Sequence, residues 1–547
     1  MLLAVLLFFS RLGAVGLFDA DEPAYAVAAR EMQETGDWVT PTFNGQPRFD
    51  KPILFYYLVA LAYAAFGVNE FAVRCWSALA GVLLAVLVWW VGRRHLGRGA
   101  GTAALVFLTN PLTWVMGRAG VTDMVLGLCL TGCLACAYTA LMAEEDGERR
   151  RAWLGAAACS GLAVLVKGPI GLILPGLILL AYGLVTRRLG RALRGPGLLS
   201  AGALFGVLVL PWYVLALRAN GWAFVEGFIV KHHLVRYAGG VSGHAAPVWF
   251  YVPALLVGFF PWSAFLPGAL AWAVRVWRRP KSAPERTPSA RGVACASSGG
   301  GWQAYCAVWF GVTFLFFSGA STKLPSYLFP AFPALAFLVA GWMEDGAAPR
   351  RAPRRAAALL GALGLFLALG SAVIPWILRA AAARSPALSQ TTYAGRVHVL
   401  LALLFASGTA AGVAAAWRAR WRATVGALAG MMLLLAAALL QWVVPLAHAS
   451  LQGPLQALVL AVRDRLRPED TIVVYGFNAP SVVFYAGRRV VKVERGDREG
   501  LRRALGAGRR AYAFVRAADR ADLAGLPGVF PLAQRGAYGV YLKGCVP

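Results

Sequence analysis

Between residues 19 and 70 the chain gathers acids that it avoids elsewhere: Asp19-Ala20-Asp21-Glu22-Pro23-Ala24-Tyr25, then Arg30-Glu31-Met32, Gly36-Asp37-Trp38 and Phe49-Asp50-Lys51-Pro52. A carboxylate held against apolar segments is costly unless it has a partner or a task. Asp21-Glu22-Pro23 reads as a helix start, with Asp21 as N-cap and Pro23 near the first turn. It also reads as a fixed carboxylate that acts as a base or orients an acceptor at the membrane surface. The two readings are compatible, because capping would hold the group still. Asp123, following Thr122 at the start of an apolar run, is a second acid expected at the same depth as Asp21. Capping by Thr122 or Asp123 is the simpler alternative there, and a site shared with Asp21 the functional one.

The cations suggest what such acids would face. Lys51-Pro52, Lys167-Gly168-Pro169, Lys231 to Arg236 and Lys323-Leu324-Pro325 punctuate stretches otherwise poor in positive charge. Any one of them alone reads as a side chain snorkelling to the interface. Several converging at one depth suit a phosphate or pyrophosphate, held bidentately by Arg and as a point charge by Lys. His232 and His233 are adjacent, so on a helix they point about 100° apart and do not chelate together; one donating to a phosphate is the better reading. Tyr56, Tyr57, Trp249, Tyr251 and Trp262 read as interfacial belt residues. Cys133-Leu134-Ala135-Cys136 matches CxxC, but with no second pair or His nearby it reads, with Cys129, as core packing.

The elements that must position these groups are membrane helices. The chain has 547 residues, 59% hydrophobic and 14% charged, whereas soluble domains carry about a quarter charged residues. Its net charge of +28 resides in arginine clusters between apolar runs of spanning length, which points to positive-inside bias and away from nucleic acid. About thirteen spans are expected, near 1–18, 71–92, 100–117, 124–143, 152–166, 169–186, 197–217, 249–275, 302–318, 327–343, 356–378, 397–417 and 423–446. The first run lacks a basic leader and a small-residue cleavage site, and it holds Arg11; it reads as a retained helix whose arginine needs a partner in the bundle.

Alternate loops carry Arg93, Arg94 and Arg98, then Arg149 to Arg151, the 187–194 and 278–291 clusters, Arg350 to Arg355, and Arg418 to Arg422. Those loops are therefore assigned to the cytoplasm with the N-terminus, and the acidic loop 19–70 and the C-terminus to the outside. Two interfacial helices are expected in that loop, at 22–34 and 53–66. Segment 280–301 reads as a linker. The expected division is a transmembrane domain, 1–446, and an outside α/β domain, 447–547. The latter has strands at 471–475, 490–493, 511–515 and 539–542 and helices at 454–466 and 499–506.

In sequence order, DExxYA, REM, GDW, FDKP, the TD at 122–123, KGP at 167–169, HHxxRY at 232–237 and KLPSYLFP at 323–330 resemble the lipid A aminoarabinose transferases and the wider protein O-mannosyltransferase-like group. The resemblance covers about residues 1–345. It implies a mainly α, polytopic GT-C fold and an inverting, metal-independent transfer of a sugar from a polyprenyl-phosphate donor to an envelope acceptor, a lipid A-type lipid favoured. It implies no cofactor, with a divalent ion near Asp50 left open. On this resemblance Asp21 is the principal catalytic carboxylate, with Glu22 beside it and Asp123 in support. Lys51, Arg236, Lys323 and Lys167 would hold the lipid phosphate, and Tyr25, Asp50, His232 and His233 would contact substrate. The chain departs from the family at Ala24, where an Arg is expected soon after the acid pair, at Arg48 in place of an aromatic, and at Asp50 in place of Glu. The rival class is a carrier that flips a lipid-linked sugar; a glycan ligase or protein O-mannosyltransferase would share the phosphate chemistry.

Overall fold

The computed structural model describes residues 1–187, 190, 197–235, 246–278, 301–345, 351–382 and 395–544. Helices dominate. Nine are labelled here: α1 (Leu2–Phe9), α2 (Asp21–Thr35), α3 (Leu54–Phe66), α4 (Glu70–His95), α5 (Ala100–Leu108), α6 (Pro111–Arg118), α7 (Asp123–Met142), α8 (Asp146–Lys167) and α9 (Ile170–Val185). Among the described residues, 7 helices are long and apolar enough to cross a membrane, or up to 8 if one sharply bent pair counts as a span.

Most expected runs become helices, but several are broken. The run at 1–18 yields only the 8 residues of α1; the chain then turns, with Arg11 at φ 55 and its guanidinium donating to Gln441. The run at 100–117 splits into α5 and α6 because Pro111 removes a donor and Asn110 caps the new start, accepting from the Thr113 N–H at 3.0 Å. The run at 249–275 bends by 112° between Val248–Gly258 and Trp262–Trp277. Segment 280–300 and most of the basic cluster at 187–194 lie outside the described residues.

Both interfacial helices of the first loop form as α2 and α3. Gly36, at φ 72, closes α2 in the left-handed conformation. Between the helices, β1 (Thr42–Phe43) pairs antiparallel with β2 (Gln46–Pro47). The Thr42 hydroxyl and the Gly45 N–H both donate to the buried Glu31 carboxylate, which fastens this hairpin to α2.

The end of the chain forms a five-stranded sheet. Its strands are β3 (Thr471–Tyr475), β4 (Val491–Val493), β5 (Ala511–Arg516), β6 (Val529–Arg535) and β7 (Tyr538–Lys543), in the order β4-β3-β5-β7-β6. The first two pairings are parallel and the last two antiparallel. Alternation divides the faces. Ile472, Val474, Tyr512 and Phe514 join the same apolar core as the membrane helices; Val473, Tyr475, Ala513 and Val515 pack with Leu501 and Leu505 in a second core.

One buried node joins the N-terminal elements. Glu22 accepts from Arg74 Nε (2.8 Å) and Nη2 (2.7 Å), from the Phe18 N–H (2.9 Å) and from the Gly120 N–H (2.7 Å). That fills the four acceptor sites of a carboxylate. Arg74 also donates to the carbonyls of Leu12, Val15 and Gly16. A Cβ at Gly120 would meet Val73 Cγ1 at 2.6 Å, so only glycine lets this backbone approach. Removing one partner leaves a buried charge uncompensated: Arg74→Ala is expected to cost about 3–5 kcal/mol, read as a lower Tm of the full chain in detergent. Replacing Glu22 and Arg74 together by Leu and Met is expected not to restore stability, because the backbone groups they serve would lose their partners. Recovery in that double variant would show the node to be an ordinary ion pair.

Candidate active site

The node carries Asp21 and Asp123 toward one region. Asp21 is the first residue of α2, but Ala20, not Asp21, occupies the N-cap, and no side chain caps that turn. Expected capping is absent at Asp123 too: Thr122 is the N-cap of α7 without a side-chain bond. Both carboxylates are thereby released from the helix ends. Asp123 Oδ1 takes Lys167 Nζ at 2.8 Å, both half-buried. Asp21 is exposed and makes no hydrogen bond or ion pair among the described residues. Glu22, expected beside Asp21 as a catalytic acid, is the correction: its oxygens are fully used in the structural node.

Tyr25 lies at the centre. It is buried, with its ring 5.1 Å from Phe55 and 5.5 Å from Tyr56. Burial first, then its coupling to the neighbouring Tyr56 phenol and the negative charge of Asp21 and Asp123, pushes its hydroxyl well above the ordinary phenol range, and Arg48 opposes this. It therefore stays a neutral donor, and it makes no hydrogen bond among the described residues.

Arg48 is the member that sequence reasoning noted only as a departure. Its guanidinium lies 5.8 Å from the Tyr25 ring and 5.9 Å from Phe43. It donates to the Tyr56 hydroxyl at 3.3 Å and pairs with Asp50 Oδ2 at 2.8 Å. The other Asp50 oxygen meets His232 Nε2 at 2.9 Å. Burial resists charging Asp50, but the His232 bond and the charges of Arg48 and Lys51 prevail and hold the carboxyl below its usual range. Both Asp50 oxygens are thus engaged, and no group of three His, Cys, Asp or Glu side chains suited to a metal occurs among the described residues. Tyr56, expected in an interfacial belt, is fully buried in this cluster. Tyr251 and Trp262 are buried as well, while Trp249 stays exposed.

The lysines differ from one another. Lys51 Nζ reaches the Asp50 carbonyl at 3.0 Å. Lys167, paired with Asp123, also sits 5.3 Å from the Tyr327 ring, which links α7 and α8 to the 323–330 segment. Lys323 is buried, donates to the Ala320 carbonyl and forms no ion pair among the described residues. A buried ammonium with three donors and one neutral acceptor is short of anionic partners. Arg236 and Tyr237, and the side chain of His233, lie outside the described residues.

The arrangement offers an open carboxylate, a neutral tyrosine hydroxyl and a buried cation, on elements joined by Asp123, Lys167 and Tyr327. It sits on a mainly helical chain with 7 helices, or up to 8, long and apolar enough to cross a membrane among the described residues, the class of a multi-pass membrane protein. The fold matches the crystal structure of ArnT from Cupriavidus metallidurans bound to undecaprenyl phosphate, with a TM-score of 0.80, 24% identity, and 99% of this chain and 97% of that one covered. A family model described as dolichyl-phosphate-mannose-protein mannosyltransferase matches residues 50–214. An undecaprenyl phosphate-alpha-4-amino-4-deoxy-L-arabinose arabinosyl transferase from Aeromonas salmonicida is 32% identical over 440 residues, which are 78% of this chain and 73% of that protein. The chain belongs to that arabinosyl transferase family. A relative of the same name from Sodalis glossinidius is 35% identical over 373 residues, 66% of this chain and 62% of its own length, so the match spans somewhat less than two thirds of that protein.

The depressed Asp50 gives a pH prediction. A carboxyl whose folded pKa lies below its unfolded value adds stability that is complete above the unfolded value and is lost as pH falls through the folded one. Melting of wild type and Asp50→Asn in detergent should therefore differ at neutral pH and converge as the pH drops below the ordinary carboxylate value of 3.8. A difference that persists unchanged to the lowest pH measured would remove Asp50 ionisation as its source.

Proposed function

We propose that this chain is an inverting glycosyltransferase of the bacterial inner membrane. It moves a sugar from a polyprenyl-phosphate donor to an envelope acceptor on the outer face, with a lipid A-type lipid favoured. The observation that carries the reading is Asp21: a carboxylate in the DExxYA motif, fixed by its helix yet unpaired, beside a buried neutral tyrosine. The relatives' names and the undecaprenyl phosphate of the ArnT structure support this donor class. The proposed layout has about thirteen spans, the broken helices among them. The N-terminus is cytoplasmic and the sheet lies outside.

In the proposed reaction an acceptor oxygen attacks the anomeric carbon from the face opposite the lipid phosphate. The new C–O bond forms as the bond to the phosphate oxygen breaks, and the phosphate leaves with the electron pair. Lys323, with Lys51 and Arg236, stabilises the charge that grows there. Asp21 takes the proton of a hydroxyl acceptor, or positions an acceptor that is itself a phosphate and needs no base. Asp123 and Lys167 hold one another in place, so Lys167 acts on the phosphate only through that pair. Tyr25 donates to the sugar or the acceptor. A lipid-linked sugar is already activated, so no cofactor enters these steps.

Two outcomes are expected. In a host deleted for the gene, mass spectrometry of envelope lipids should show a sugar increment with wild type and none with Asp21→Asn, while the polyprenyl-phosphate sugar accumulates in the variant. Label crossing liposomes with no glycoside formed would replace the enzyme by a carrier. For Lys323→Ala, kcat/KM for the lipid donor should fall about tenfold or more, the scale of a lost hydrogen bond to a charged group; an unchanged kcat/KM would remove Lys323 from the phosphate site.

A further inference from the structure

The helix Pro480–Ala486, between β3 and β4, has 7 residues and no side-chain cap of its own. So short a helix is marginal without support. Its support comes from the first loop, at both ends. Asp19 Oδ1 accepts from the Ser481 N–H at 2.8 Å, and Asp19 Oδ2 accepts from the Ser481 hydroxyl. At the other end Arg30 donates to the carbonyls of Phe484 (3.0 Å) and Val483 (3.3 Å). An acid thus meets the helix N-terminus and a base its C-terminus, the signs that complement a helix dipole.

Two further ties run the same way. Tyr485, on this helix, accepts from the Leu17 N–H at 2.8 Å and donates to Glu70 at the start of α4 at 3.0 Å. Asn44, in the β1–β2 turn, exchanges a reciprocal pair of bonds with the backbone of Val490 (2.7 and 2.8 Å). Asp19 precedes Asp21 by two residues, and Arg30 lies on the helix that Asp21 begins.

We propose that the helix Pro480–Ala486 is a brace for the active site: capped in trans by Asp19 and Arg30, it sets the position of α2 and with it the direction of the Asp21 carboxylate. Asp19 and Arg30 are positioning residues, and the site is incomplete without the C-terminal sheet. The inference rests on the transferase reading for its catalytic consequence, not for the brace itself. Both Asp19 oxygens accept from Ser481; Asn keeps one acceptor, enough for the Ser481 N–H, and can turn its NH2 toward the hydroxyl oxygen.

The test uses the full chain in nanodiscs and two readouts. Amide hydrogen exchange in 480–486 and in 21–35 should quicken about fivefold in Asp19→Ala, the scale of a lost cap. In the same variant kcat should fall about tenfold to a hundredfold, as for a misplaced group, with the donor KM unchanged. Asp19→Asn, which keeps an acceptor for the Ser481 N–H, should recover most of both readouts, and Arg30→Ala should behave like Asp19→Ala. Quickened exchange with wild-type kcat would overturn the positioning role. An Asn variant as inactive as Ala would overturn capping in favour of a charged role. If Asp19→Ala does not fold, Ser481→Ala, which loses one hydroxyl, carries the same comparison. If wild type transfers no sugar, the transferase reading fails while exchange still reports whether the brace exists.

Discussion

The geometry of the candidate site depends on one carboxylate whose acceptor sites are all taken by the protein itself. Glu22 is surrounded by Arg74 and two backbone N–H groups, and Arg74 in turn holds three carbonyls of the turn after α1. A buried ion pair alone is weak evidence of stability, since desolvation offsets most of its Coulombic gain. This one differs because it also satisfies backbone groups, those of Leu12, Gly16 and Gly120 in buried bonds. The start of α2, the first turns of α4 and the loop before α7 meet there. Asp21 and Asp123 inherit their placement from it.

Around that frame the charges have unequal freedom. Asp50 is held between Arg48 and His232, and Asp123 by Lys167. Asp21 and Lys323 have no ion-pair partner among the described residues. Paired groups are held in place; unpaired ones retain interaction energy for something that arrives. Tyr25 packs against Phe55 and Tyr56, and burial keeps both tyrosine hydroxyls protonated.

Much of this was legible in the residues, and the failures have physical reasons. The apolar runs, α2, α3 and four strands followed from periodicity and composition. Breaks inside apolar runs did not, because Pro111 within a hydrophobic segment resembles any tolerated membrane proline. Strand β6 was missed because Pro531 argues against a strand; it lies at the sheet edge with an irregular register near that proline, where proline is admitted. Helix 480–486 was missed because its stability comes from residues far away in sequence, which no local signal records. At the site, the acids stood out by their rarity. Glu22 was read with Asp21 because neighbours in sequence look alike, although one faces inward to Arg74 and the other outward. Arg48 was visible as a departure, but its meeting with Asp50, Tyr25 and Tyr56 is a tertiary fact.

The bonds between Asp19 and Ser481 span 462 positions. Chains are made from the N-terminus at about 5–20 residues per second, so the first loop emerges long before the strands that complete it. Contacts of such separation carry the largest loop-closure cost and form late. For most of its synthesis, then, α2 waits as an unbraced amphipathic segment beside a growing bundle. A motif made early is finished by residues 462 positions later. On the proposed reading, a molecule interrupted between Lys323 and Thr471 holds the candidate side chains without the sheet that arranges them.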